Sequence, residues 1–219
     1  MRAAAPAAAA PALAVPPRAA RPYPAHLIEF TTLPDGTPLT IRPIRRSDLR
    51  LEAAFLSALS PATRYQRLLS ARRLLPGELR RLTHIDYQRE MALVAVATVD
   101  GIEQAIGVAR YVRDELDPRS CEFAIVVADR WQGRGVGEKL LRSLLRVAVD
   151  EGFLVVTGMT LSSNGAMLAL ARKLGFAARR EPGNATMTDL RRDVRTAQVD
   201  SAPASIGAVA HADLWFGPC

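Results

Sequence analysis

Residues 121–137, Cys-Glu-Phe-Ala-Ile-Val-Val-Ala-Asp-Arg-Trp-Gln-Gly-Arg-Gly-Val-Gly, constrain this chain more than any other stretch. A strand-like run from Cys121 to Val127 leads to three alternating glycines, Gly133, Gly135 and Gly137. A helical stripe of Val136, Leu140, Leu144 and Ala148 follows, with Leu141 and Leu145 beside it and Glu138, Arg142 and Arg146 facing away. A strand that turns on glycines into an amphipathic helix predicts an α/β architecture. It also brings backbone N–H groups and the positive end of a helix to one place that no Cβ obstructs. Such a place suits a pyrophosphate. No Gly-Lys-Ser/Thr follows, so this is not a P-loop, and the spacing is Gly-x-Gly-x-Gly, not the dinucleotide Gly-x-Gly-x-x-Gly. Glycine at a strand-to-helix turn also permits tight packing, so the loop alone names no ligand.

The rest of the chain alternates. Asp35-Gly36 is a hairpin signal between Ile28–Phe30 and Leu39–Ile44, and Ser47-Asp48 reads as the N-cap of a helix through Leu49, Ala53, Leu56 and Leu59. Ser60-Pro61 restarts a helix, and Pro76 opens a third through Leu79 and Leu82. Three strand-like runs follow, Ala92–Thr98, Ala105–Val112 and Cys121–Val127, separated by Asp100-Gly101 and Asp117-Pro118. The helix after Gly135 ends near Gly152, Leu154–Gly158 is a short buried-type strand, and Ser162-Ser163-Asn164 caps a helix that Gly175 stops. The prediction is a mixed central sheet, an antiparallel meander followed by a parallel βαβ pair, flanked by helices.

The chain has 219 residues, 49% hydrophobic and 23% charged, a balance that suits one globular domain with tails. Residues 1–25 are almost wholly Ala, Pro and Arg, and read as a disordered tail because prolines at 6, 11, 16, 17, 22 and 24 prevent a continuous helix. A signal or transit peptide competes with that reading, but the same prolines interrupt any apolar core. The expected body is 26–190, and 191–219 reads as a second mobile tail, in which Leu214, Trp215 and Phe216 could still dock. The richest apolar run, Met91–Val99, is strand-length, far short of the roughly 20 residues of a membrane span. Two cysteines and three scattered histidines assemble neither a disulfide scaffold nor a metal site, which fits a reducing cytoplasm. The net charge is +7, but +3 sits in the first 25 residues and the last 29 are neutral, leaving a modest +4 on the body. With no aromatic-basic reading motif, that excess disfavours a nucleic-acid partner.

The pattern Gln132-x-x-Gly135-x-Gly137, after a strand bearing an acid, resembles the acetyl-coenzyme A motif of GNAT-family N-acetyltransferases. Within that family, residues 33–96 resemble the acetyltransferase domain of bacterial Pat-type protein-lysine acetyltransferases. The shared segments are Asp35-Gly36-Thr37, Ile41-Arg42-Pro43-Ile44, Ser60-Pro61 with Arg64-Tyr65, Ile85-Asp86-Tyr87 and Arg89 to Val96. The likeness spans residues 33–190 and implies a GNAT fold with acetyl-CoA as acyl donor. It implies that Gln132, Gly133, Arg134, Gly135, Val136 and Gly137 hold the pyrophosphate, that Val126 and Val127 offer backbone groups to the pantetheine arm, and that Asn164 contacts the arm. Read without it, Val126 and Val127 are ordinary core strand residues, Asn164 is a helix cap, and Arg134 either meets a phosphate or faces solvent.

The same resemblance makes Glu122 the general base. The alternative is a solvated edge acid or an ion pair with a nearby arginine. GNAT enzymes often place a tyrosine four residues before the Gly-Phe that ends the last helix; Gly175-Phe176 here puts Ala171 there, as Pat-like domains tend to do. Asp86, Glu90, Asp114 and Glu115 are weaker candidates for an acceptor channel, His84 reads as a local hydrogen-bonding residue, and Cys121 as a packed thiol. The resulting expectation is transfer of an acetyl group to a primary amine, a protein lysine being favoured. A small-molecule amine and a non-catalytic acyl-CoA-binding sensor are the alternatives, and the oligomeric state is open.

Overall fold

A computed structural model describes residues 21–68 and 76–194. The expected tails therefore fall outside the described residues, except at their inner ends. A hairpin, β1 (Glu29–Thr32) and β2 (Pro38–Pro43), turns at Gly36 with φ 82°, as Asp35-Gly36 predicts. Three helices follow, α1 (Leu49–Ala58), α2 (Pro61–Leu68) and α3 (Pro76–Thr83). The meander is β3 (Glu90–Val99), β4 (Ile102–Arg113) and β5 (Ser120–Val127), antiparallel throughout. Asp100 and Gly101 both have positive φ, 51° and 76°, the conformation a two-residue type I′ hairpin demands.

Helix α4 (Val136–Asp150) crosses over to β6 (Val155–Leu161), which lies parallel to β5. Helix α5 (Gly165–Lys173) leads to the hairpin of β7 (Ala177–Glu181) and β8 (Asn184–Asp193), and the sheet order is β1-β2-β3-β4-β5-β6-β8-β7. Sequence patterning did not reveal that last hairpin. The outermost strand, Ala-Ala-Arg-Arg-Glu, has no apolar alternation because four of its five residues are exposed, and only the turn dipeptide Pro182-Gly183 marks it. β8 runs to Asp193 and Val194 is buried, so the ordered body extends past the expected boundary at 190. At the other end Arg21 already ion-pairs with Glu151, inside the expected N-terminal tail.

Each sheet face has its own core. Leu140, Leu141 and Leu144 of α4 pack on Met91, Leu93, Phe123 and Val156, while Phe55 and Leu59 pack on Val94, Val96, Val108 and Val126 across the sheet. The predicted α4 stripe is the buried one.

Asp48 corrects one expectation. It makes no side-chain cap to α1; its carboxylate receives Arg42 at 2.6 and 3.0 Å and the Arg45 backbone N–H at 2.7 Å. Burial of the Arg42 guanidinium, 7% exposed, explains why the acid is drawn inward, since a buried charge needs a partner. No helix among the described residues is long and apolar enough to cross a membrane.

Candidate active site

β5 and β6 are paired only from Ser120↔Val155 to Glu122↔Thr157, and then separate. Phe123 sits where they part. It lies against Gly158, where an added Cβ would come within 2.5 Å of the ring, and it stacks on Phe176 at 5.0 Å. The separation opens a cavity of about 340 Å³ between residues 123–127 of β5 and Met159 and Thr160 of β6.

The loop that opens α4 closes one end. Gly133 and Gly135 have φ of 72° and 89°, which L side chains adopt only under strain, whereas Gly137 is conventional and leaves room beside Val127 and Leu170. Gly135 is the N-cap and offers no side-chain hydrogen bond, so the first-turn N–H groups of this 15-residue helix lack a cap. Donors and the positive helix end thus meet at the cavity, which fits a pyrophosphate.

Of the candidate binding residues, Val126, Val127, Gln132, Gly133, Gly135, Gly137 and Asn164 all line this one cavity. The Val126 side chain turns to the α1 face, leaving its backbone toward the cavity side. Gln132 Nε2 donates to the Val127 carbonyl at 3.0 Å and to Thr63 Oγ1 at 3.2 Å. Asn164 caps α5, its Oδ1 accepting the Met167 N–H at 3.1 Å, and the residue also borders the cavity.

Two candidates stand elsewhere. Val136 is fully buried in the α4 core, so only its backbone can serve an anion. Arg134 Nε binds Asp35 Oδ2 at 3.1 Å, and its guanidinium lies 4.3 Å from the Trp131 ring centre, so it braces the β1–β2 turn. That Arg134 hydrogen bond, with those from Thr37, holds the Asp35 carboxyl well below the usual range.

Glu122 lies one residue before Phe123, half-buried, with Val112 and Thr157 as its cross-strand neighbours. By strand alternation it shares a face with Ala124 and Val126, opposite Phe123. Several acids weighed as channel residues have structural duties. Asp86 accepts backbone N–H groups from Gln88, Arg89 and Glu90, Asp114 does the same for Leu116 and Asp117, and Glu115 pairs with Arg89. Glu90 is pushed upward by burial. His84 Nδ1 is 3.1 Å from Thr83 Oγ1, and burial drives the Cys121 thiol up to about 12, leaving it inert as a nucleophile. Ala171 is fully buried.

Thr63, Gln66, Glu138, Met159 and Met167 also line the cavity, and sequence reading did not select them. Glu138 appeared only as an outward residue of α4. It does bind Arg142, but also Lys173, which with Arg142 lowers its carboxyl's pKa beside the loop. The i, i+4 spacing to Arg142 was visible, whereas Lys173 arrives from another helix.

A sheet split between β5 and β6, with an uncapped glycine-opened helix at the split, defines an acyl-CoA-dependent transferase of GNAT type, and residues 59–176 match the Acetyltransferase (GNAT) family. The chain belongs to that family, and acetyl-CoA is its acyl donor. It is 38% identical to acetyltransferase PA5475 of Pseudomonas aeruginosa over 162 residues, 74% of this chain and 86% of that protein. It is 29% identical to acetyltransferase Pat of Mycolicibacterium smegmatis over 74% of this chain, but spans only 47% of that longer protein. The GNAT domain of S. lividans PAT superposes with a TM-score of 0.71 at 28% identity, covering 78% of this chain and 99% of that domain.

Proposed function

We propose that the enzyme acetylates a primary amine, with a lysine of a protein as the favoured acceptor and Glu122 as general base. The observation that carries this is the position of Glu122 in the last β5–β6 pair, next to Phe123, where the cavity begins. An amine with a reference pKa near 10.4 is neutral about once in 2,500 at pH 7, a deficit of about 4.6 kcal/mol. A carboxylate at that point accepts the proton as the amine attacks. Bound acetyl-CoA supplies the activated thioester carbonyl. The backbone of Val126 and Val127 orients the arm, the α4 N-terminus with Gly133, Gly135 and Gly137 holds the pyrophosphate, and Asn164 borders the arm from α5. With Ala171 buried, no tyrosine serves the leaving thiolate from that position; a thiolate is a tolerable leaving group, and water can protonate it.

A polypeptide acceptor is supported by the likeness to Pat acetyltransferases and by the polar side chains that β7 and β8 leave accessible. Helix α1 packs over β4 and α2 against β5, while Arg179, Asp189 and Arg191 on β7 and β8 remain exposed or half-buried. Thiol release from acetyl-CoA with lysine-bearing proteins and small amines is the test. Glu122→Gln is expected to cut turnover by about 10²–10⁴-fold while coenzyme A binding persists by calorimetry. Equal turnover would remove Glu122 from the mechanism, and turnover with small amines alone would reassign the acceptor.

A further inference from the structure

One carboxylate fastens the head of α2 to the cofactor loop. Asp129, just after β5, accepts the Ser60 backbone N–H at 2.9 Å, Ser60 Oγ at 2.6 Å and Thr63 Oγ1 at 2.7 Å. Desolvation opposes the charge, but the bonds from Ser60 and Thr63 outweigh it and hold the Asp129 carboxyl below its usual range. Starting α2 does not require this acid, because Ser60 Oγ already caps the Thr63 N–H at 3.2 Å. The acid does something else. Thr63 is 8% exposed, and its Oγ1 also receives Gln132 Nε2, the nitrogen that reaches the Val127 carbonyl. A continuous chain of hydrogen bonds therefore runs from the α2 wall of the cavity, which presents Thr63 and Gln66, to the backbone and loop on the cofactor side.

We propose that Asp129 and Thr63 are positioning residues that couple acetyl-CoA loading to the ordering of α2. The proposal rests on the reading that residues 132–137 hold the pyrophosphate. Gln132 and Thr63 cannot move independently without breaking the part-buried hydrogen bond that joins them, so a ligand that quiets the loop also quiets the helix. A second ligand packing against α2 then meets a wall already in place, which is positive cooperativity between donor and acceptor.

Backbone hydrogen exchange of the full chain, with and without saturating coenzyme A, tests this. In the wild type, coenzyme A is expected to slow exchange at 132–138 and, by about tenfold, at 64–68 of α2. Thr63→Val removes the hydroxyl and keeps the volume; it should retain slowing at 132–138 and lose it in α2, and Thr63→Ser should restore it. Asp129→Asn is expected to weaken the α2 response in the same sense, which covers the case that Thr63→Val does not fold. A purely structural role would raise α2 exchange equally with and without coenzyme A. That result overturns the coupling, as does an α2 response unchanged in Thr63→Val, or none in the wild type while the loop responds. If calorimetry shows binding but neither segment responds, the loop assignment itself fails and the coupling falls with it.

Discussion

Gly135 and Gly137 sit two residues apart in one loop and answer to different physics. Gly135 has φ 89°, where a Cβ would meet nothing closer than Pro34 at 3.6 Å, so its demand is conformational. Gly137 needs no special φ; a Cβ there would lie 3.4 Å from Leu170 and 3.5 Å from Val127, at the wall of the cavity. Gly135→Ala is therefore expected to cost about 1–2 kcal/mol of stability and to weaken coenzyme A binding. Gly137→Ala should leave the melting temperature within a degree or two and still weaken binding. Calorimetry beside thermal melts separates the two, and identical behaviour would show that one constraint governs both. The glycine spacing was legible in the sequence; which glycine answers to φ and which to space was not, because both look alike as letters.

Asp48 teaches the same lesson for α1. The local pattern Ser47-Asp48 before an apolar stripe is a helix-start signal, yet Asp48 turns to Arg42 on β2. Capping by Asp contributes about 1 kcal/mol, whereas removing one partner of a buried pair costs about 3–5 kcal/mol. Asp48→Ala is expected to lose the larger amount in urea unfolding, and a loss near 1 kcal/mol would return the residue to the role of a cap. Among the elements, α4 was the most legible, since its stripe is periodic over 15 residues and its face is decided by its own side chains. The β7–β8 hairpin was the least legible, because β7 is an edge strand whose stability comes from β8 and not from apolar alternation.

At the scale of the molecule, acid sensitivity follows from where carboxylates found partners. Arg134 lowers Asp35, Ser120 lowers Asp117, and Lys173 lowers Glu138; Asp129 is lowered because its bonds to Ser60 and Thr63 outweigh desolvation. A group whose folded pKa is depressed stabilises the fold above its unfolded value, about 3.9 for Asp and 4.3 for Glu, and loses that contribution as pH falls through the folded value. Glu90, raised by burial, acts in the opposite sense: its contribution is present below about 4.3 and disappears as pH rises through its raised value. Because these lowered groups outnumber Glu90 among the described residues, the melting temperature is expected to fall steadily below about pH 4, less so at high salt because most of these pairs are exposed. A melting temperature that is flat or rising from pH 4 to 2 would contradict this.

The sequence by itself determined the order of elements as far as α5, the parallel crossover after the meander, and the strand, loop and helix that border the cavity. These depend on near neighbours: alternation along β5, periodicity along α4, and the conformational demands of a few glycines. Only the tertiary structure decided where β5 and β6 separate, that Arg134 belongs to Asp35 and Asp48 to Arg42, and that Thr63 on α2 and Asp129 after β5 join across 66 positions of chain. Those outcomes turn on which distant charges and hydroxyls the packed sheet and helices bring side by side, which is a property of the assembled fold and not of any window of residues.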